Sequence, residues 1–342
     1  MAEKKLMTVK KVGKLMAEGK NGTDIKSKRT GGADASPFFS RTIVIFVTAV
    51  FCCMLWGSAF PCIKTGYKLF DIASDEPASQ ILFAGVRFTL AGILVAAAGS
   101  VMAKKPLLPK KTSWGKLVVL SLLQTSVHYT FFYIGLAHTS GVNSSIITGS
   151  TAFLSILVSV FIFKKEKLTA SKIAGCVLGF SAVIAVTLAD GSLSLDVSLL
   201  GEGFVLIAAL MHAFSSNAMK IYSRDDNPVM LSGWQFVIGG LTMIACGLAL
   251  GGSLDPCGPS AFALLLYMAF ISACAYTLWS VLLKFNPVSK VAIFEFSNPV
   301  FGVILSALIL GETSEASGLN TIIALALLSA GIIIVNRKKG PL

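Results

Sequence analysis

From position 42 onward the chain alternates apolar runs with short polar connections. A helix needs roughly 20 mostly apolar residues to cross the hydrocarbon core of a bilayer. The runs at 42–63, 80–102, 116–137, 142–163, 170–189, 202–221, 229–250, 259–283, 288–310 and 317–336 meet that length. Between them lie segments with turn chemistry, among them AHTSGVN, SRDDNP, GGSLDPCGPS, KFNPVSK and GETSEAS, none long enough for a soluble domain. The pattern therefore predicts an all-α integral membrane protein of ten transmembrane helices. Residues 1–41 carry no apolar run of span length and many lysines, and they read as a disordered tail. Leu6, Met7, Val9, Val12, Leu15 and Met16 could share one face of an amphipathic surface helix there.

Composition agrees with this pattern: 54% of the residues are hydrophobic and 13% charged, and the mean hydropathy is +0.77. The net charge of +12 would suggest nucleic acid as a partner if the domain were soluble. Threading ten spans with the amino terminus inside accounts for the charge differently. Of the 29 lysines and arginines, all but Lys64, Lys68 and Arg87 then fall on the tail, four loops and the carboxyl end of one face, while acidic residues lean to the other. Such a bias marks the cytoplasmic face. It predicts a multi-pass protein of the cytoplasmic membrane with both termini inside, the bilayer as its surroundings and no nucleic-acid partner.

The chain also repeats itself. RFTLAGIL at 87–94 matches QFVIGGLT at 235–242, and YTFFYIGL at 129–136 matches YTLWSVLL at 276–283. Glu166, Ala170 and Ser171 answer Glu312, Ala316 and Ser317, and WGSAFPCIK at 56–64 aligns with HAFSSNAMK at 212–220. The reading is a first five-helix repeat over 42–189 and a second over 190–338. Because five is odd, the second copy enters the membrane inverted, and the basic KKEK after span 4 faces inside where its counterpart GETSE faces out. Two inverted halves around a central site suit a secondary transporter.

WGSAFPCIK, the pair Arg87 and Phe88, EKLTASKIAG opening span 5, and NPVFGVILSALILGE closing span 9 together resemble the drug/metabolite transporter superfamily, in particular its EamA-type ten-helix members. His212 stands where the first copy has Trp56, and GETSEASG matches the family's usual turn less well than EKLTASKIAG. The resemblance covers about residues 42–338. It implies a central cavity lined mainly by the first four spans of each half, with span pairs 3/4 and 8/9 opening and closing it.

The candidate chemistry sits on these spans. Lys64 and Lys220 fall near opposite ends of spans 1 and 6, either as symmetry-related charges at the two mouths or as lysines snorkelling to the interface. Arg87 lies inside span 2, where an arginine costs about 2.5–3.5 kcal/mol unless paired or hydrated, so it is expected to face the interior and bind an acidic group or orient a helix, the alternative being a cap on neighbouring carbonyls near the outer boundary. Glu295 lies inside span 9, four residues before Pro299. It can serve proton coupling, or pair with Lys284 or Lys290 at a cytoplasmic gate, and the gate pair is the preferred reading. Trp56, His128, Tyr129, Asn143, His212, Asn217, Trp234, Gln235, Tyr276, Trp279 and Asn298 complete a moderately polar pathway, although such residues taken singly more often serve helix packing than ligand contact. The small residues around Trp56 and His212 permit close backbone approach.

No phosphate-binding glycine loop and no metal-binding histidine box occurs, so neither cofactor nor metal is expected. The seven cysteines show no pairing pattern and read as small packing residues. Two classes remain: a monomeric or weakly dimeric secondary carrier for amino acids, nucleosides or related solutes, working outward and without covalent chemistry, and a membrane-embedded enzyme or sensor using His128, His212 and Glu295. A proton-coupled multidrug exporter is the alternative among carriers.

Overall fold

The computed structural model describes residues 38–164, 167–187 and 199–336. The tail over 1–37, Glu166 and the carboxyl end lie outside the described residues. Among the described residues ten long helical segments follow one another, with a short helix Thr313–Ala316 before the last: α1 (Thr42–Leu69), α2 (Pro77–Ala103), α3 (Lys111–Ala137), α4 (Gly141–Ile162), α5 (Ala170–Thr187), α6 (Leu199–Tyr222), α7 (Pro228–Ala249), α8 (Pro259–Phe285), α9 (Lys290–Leu310) and α10 (Leu319–Asn336). Eight of them are long and apolar enough to cross a membrane by length and composition, while the apolar helices Ala170–Ala185 and Leu319–Gly331, within α5 and α10, are shorter. The main departure from the expected boundaries is α1, which continues through Lys64 and Lys68 to Leu69, so that both lysines are helical.

Local sequence sets where these helices start. Proline opens α2, α7 and α8, at a position where its missing N–H costs nothing and its fixed φ suits a helix. The Asn227 side chain accepts hydrogen bonds from the amides of Val229 and Met230, and Ser140 accepts one from Asn143, each capping orphan donors of a first turn. After α9, Gly311 adopts φ +77°, a left-handed conformation that suits glycine and reverses the chain.

Packing follows the internal repeat. Helices α2 and α7, α4 and α9, and α5 and α10 are counterparts in sequence, and each pair is in contact. The α1–α9 and α1–α8 contacts have their equivalents in α6–α4 and α6–α3. The α2–α7 seam is made by glycines: a Cβ added at Gly92 would stand 2.6 Å from the Val237 amide nitrogen, and one at its counterpart Gly240 would stand 2.6 Å from that of Thr89. Neither position tolerates a side chain without moving a backbone, so this seam brings the two halves to backbone contact.

Helices α4 and α9 are both interrupted. At α9 a short helix, Val288–Ala292, overlaps its start and leads through a tight turn at Ile293–Phe296 into Ser297–Leu310. Pro299 supplies no N–H to the turn before it, and the Cys53 thiol donates to the Phe294 carbonyl at 3.1 Å. Cysteine at 53 thus acts as a hydrogen-bond donor as well as a packing residue. In α4 the break falls at Gly149–Ser150, between Gly141–Thr148 and Thr151–Leu157. In the numbering of the Glu166/Glu312 match, Gly149 answers Glu295. Gly149 packs on the helix that follows the turn in α9, since a Cβ on Gly149 would lie 3.0 Å from Pro299 Cγ.

Candidate functional site

Counterpart residues of the two halves meet at the centre of the bundle. Trp56 and His212 pack edge to face with ring centroids 5.9 Å apart, Phe88 and Phe236 stack at 5.3 Å, and the hydroxyls of Tyr129 and Tyr276 share a hydrogen bond. Beside these pairs lies a cavity of about 60 Å³. That is room for a few waters rather than a metabolite, so this conformation encloses the site tightly. Eight of the expected pathway residues line it: Trp56, Arg87, His128, Tyr129, His212, Tyr276, Glu295 and Asn298. Sequence reading missed Ala59, Phe60, Ile63, Phe132, Thr148, Thr151 and Ala209, which also line it. Phe132 was findable as the residue one helical turn beyond His128, and Thr151 as the residue three beyond Thr148, on the same side of α4.

Arg87 is 2% exposed. Its Nε donates to the Met268 carbonyl at 3.1 Å and its Nη1 to the Tyr133 hydroxyl at 2.7 Å, with the guanidinium 4.9 Å from the Phe88 ring centroid. Among the described residues no acidic side chain comes within ion-pair distance of it. Tyr133, another residue absent from the expected set, is itself fixed, because the Tyr67 hydroxyl donates to its carbonyl at 2.8 Å. The cation is therefore aimed at the cavity wall without a counter-ion, an expensive arrangement in a buried setting.

Glu295 is 7% exposed. The expected pairing with Lys284 or Lys290 is not what the structure shows: among the described residues the group within ion-pair distance is His212, with Nε2 3.9 Å from Oε1. Lys290 reaches the Ser40 carbonyl instead, and Lys284 sits over the Phe285 ring. The tight turn at 293–296 carries Glu295 to the cavity, away from the helix end where those lysines lie. Five buried polar atoms on the cavity wall find no hydrogen-bond partner: Trp56 Nε1, His128 Nδ1, Thr151 Oγ1, Glu295 Oε2 and Asn298 Oδ1. A buried polar atom without a partner costs free energy, so these five leave the wall with unmet hydrogen-bonding capacity.

The remaining candidates stand elsewhere. Trp279 backs the wall, its ring 5.0 Å from that of Trp56. Gln235 accepts from the Thr125 hydroxyl at 2.6 Å, Asn143 lies in the first turn of α4, and Trp234 donates to the Leu107 carbonyl beside Trp114. Asn217 bonds the Ser155 and Ala213 carbonyls. Lys64 pairs with Glu312 at 3.6 Å at one end of the bundle. Lys220 donates to the carbonyls of Leu283 and Asn286 at the end of α8. Asn217 and Lys220 border a separate hollow of about 270 Å³.

Comparison with known proteins agrees with this architecture. The profile of the EamA-like transporter family matches residues 42–188 and 199–337. An uncharacterized transporter of Archaeoglobus fulgidus is 26% identical over 87% of this chain and 99% of its own length. A probable amino-acid metabolite efflux pump of Escherichia coli is 27% identical over 78% of this chain and 87% of its own. A solved crystal structure with 17% identity superposes with a TM-score of 0.63 over 86% of this chain and 96% of that one, a likeness of fold. The chain belongs to the EamA-like transporter family, and it is a multi-pass membrane transporter rather than an enzyme.

Proposed function

We propose that the protein is a secondary carrier that exports small zwitterionic metabolites, amino acids foremost, across the cytoplasmic membrane by alternating access around the central cavity. The observation that carries this reading is the charge pair on the cavity wall: an arginine without an acid and, in the same cavity, a glutamate without a lysine or arginine partner. A carboxylate on the solute would complete Arg87 and an ammonium group would complete Glu295. The aromatic wall of Trp56, Phe132 and Tyr276 would take the apolar remainder. The name of the Escherichia coli relative points the same way. The two halves, related by the internal repeat and packed with counterparts in contact, supply the inverted pair that alternating access needs. Lysine and arginine bias supports cytoplasmic termini.

Glu295 and His212 face each other and form the group proposed to take up and release a proton during transport. The test is counterflow and net uptake of labelled amino acids, nucleosides and cationic dyes in proteoliposomes, with and without a pH gradient, for the wild type and Glu295→Gln. Saturable amino-acid counterflow, with gradient-driven transport lost in the variant, is the expected result. Uptake confined to nucleosides or dyes would refute the zwitterion reading. Gradient-independent transport in both proteins would make the carrier a facilitator or exchanger.

A further inference from the structure

One end of the pathway is held by a contact that the other end lacks. The first turn of a helix leaves backbone N–H groups without partners. In α4 two of them, at Gly141 and Val142, donate to the Glu312 carboxylate, at 3.2 Å to Oε1 and 3.0 Å to Oε2 respectively. The same Oε1 lies 3.6 Å from Lys64 Nζ, and the Glu312 side chain is 13% exposed. Glu312 comes from the far half of the chain, just past the end of α9, and Gly311 makes the turn that aims it back. The approach is close enough that a Cβ on Gly141 would stand 2.6 Å from Ser306 Oγ on α9. An anion set on a helix N-terminus and beside an ammonium group is favourably placed, and here it ties α1, α4 and α9, three helices that line the cavity.

At the opposite end Lys220, the repeat counterpart of Lys64, has no carboxylate within ion-pair distance among the described residues. Its partners are the carbonyls of Leu283, Lys284 and Asn286. A hollow of about 270 Å³ lies there, bordered by Ser159, Asn217, Arg224 and Val288. The molecule is thus fastened at one mouth and hollow at the other.

We propose that Glu312 is the gating residue of the Lys64 mouth: its carboxylate, shared between Lys64 and the α4 N-terminus, holds that mouth shut, and transport requires it to let go. This rests on the alternating-access reading above, but its test measures access to the cavity and needs no transported solute. Cys257 supplies an internal marker for the side, because it is exposed and its backbone N–H donates to the Leu69 carbonyl at the Lys64 end of α1. Ala59 lines the cavity and accepts a cysteine with little change in size.

In sealed vesicles whose Cys257 is labelled by a membrane-impermeant maleimide, labelling at Ala59→Cys is read by mass spectrometry with and without Glu312→Gln. The expected result is labelling of Ala59→Cys about tenfold faster when Glu312→Gln is present, the scale of losing one charge-assisted contact. Fully buried Cys52 should stay unlabelled, which shows that the bundle is intact. An unchanged rate at Ala59→Cys with Cys52 protected overturns the proposal. If Glu312→Gln also exposes Cys52, the comparison is made with Lys64→Met, in which the clamp on the two amides remains. There a faster rate supports the gate, and an unchanged rate overturns the sharing of the carboxylate with Lys64 on which the proposal is built.

Discussion

Arg87 is where residue chemistry weighs most on the function. Its guanidinium uses one nitrogen on a carbonyl, one on a tyrosine hydroxyl, and stacks on Phe88. A lysine keeps the charge but not the planar fork, so it cannot hold these partners and a solute carboxylate together. On the proposed reading, Arg87→Lys is expected to raise the KM for an amino-acid solute about tenfold or more, measured by initial rates in proteoliposomes. Tyr133→Phe keeps the charge and removes only the hydroxyl that orients it. That variant should raise KM about threefold to tenfold with Vmax retained. A loss of Vmax with KM unchanged would instead assign Tyr133 to packing alone. At this scale the sequence was informative about which residues are costly and silent about their partners. Arg87 stood out because a charge inside a span demands an explanation. Tyr133 did not, because a tyrosine in an apolar run demands none until its hydroxyl is seen 2.7 Å from a guanidinium.

At the scale of elements, loop chemistry fastens helix ends as well as joining them. Asp226, between α6 and α7, accepts from Ser113 at 2.8 Å and from Lys116 at 2.7 Å, tying the start of α3 to that loop. Burial pushes its carboxyl upward, but hydrogen bonds from Lys116 and Ser113 and the charges of Lys116 and Lys110 outweigh this, so its pKa lies below the ordinary aspartate value. A depressed carboxylate contributes stability that is fully present above its unfolded-state pKa and is lost as pH falls through the folded one. Asp226→Asn should therefore lower thermal stability in detergent at pH 7, and the gap to the wild type should close as the pH drops below the usual carboxylate range. A gap that stays constant with pH would sink this account.

The element boundaries themselves were largely legible, because apolar length and the proline and asparagine starts are local signals. The interruptions in α4 and α9 were only half legible. Pro299 announced a weak point, yet neither the tight turn that swings Glu295 away from Lys284 and Lys290 nor the matching break at Gly149 could be seen before the helices were placed against each other.

For the whole molecule, the charge bias makes a prediction of its own. If the basic face is cytoplasmic, the α7–α8 loop with its exposed Cys257 lies outside. Impermeant maleimide should then label Cys257 in intact cells; labelling only after permeabilisation would reverse the orientation. The all-α class and the family membership follow from the sequence by itself, because span length and motif pattern are written in residue order and need no partner to be read. The meeting of Trp56 with His212 and of Tyr129 with Tyr276, the arginine and the glutamate on one cavity wall, and the clamp of Glu312 on α4 were decided only by the tertiary structure. Each joins groups more than a hundred residues apart along the chain. Their contact depends on how glycine seams and broken helices bring the two halves together, and residue order does not encode that packing locally.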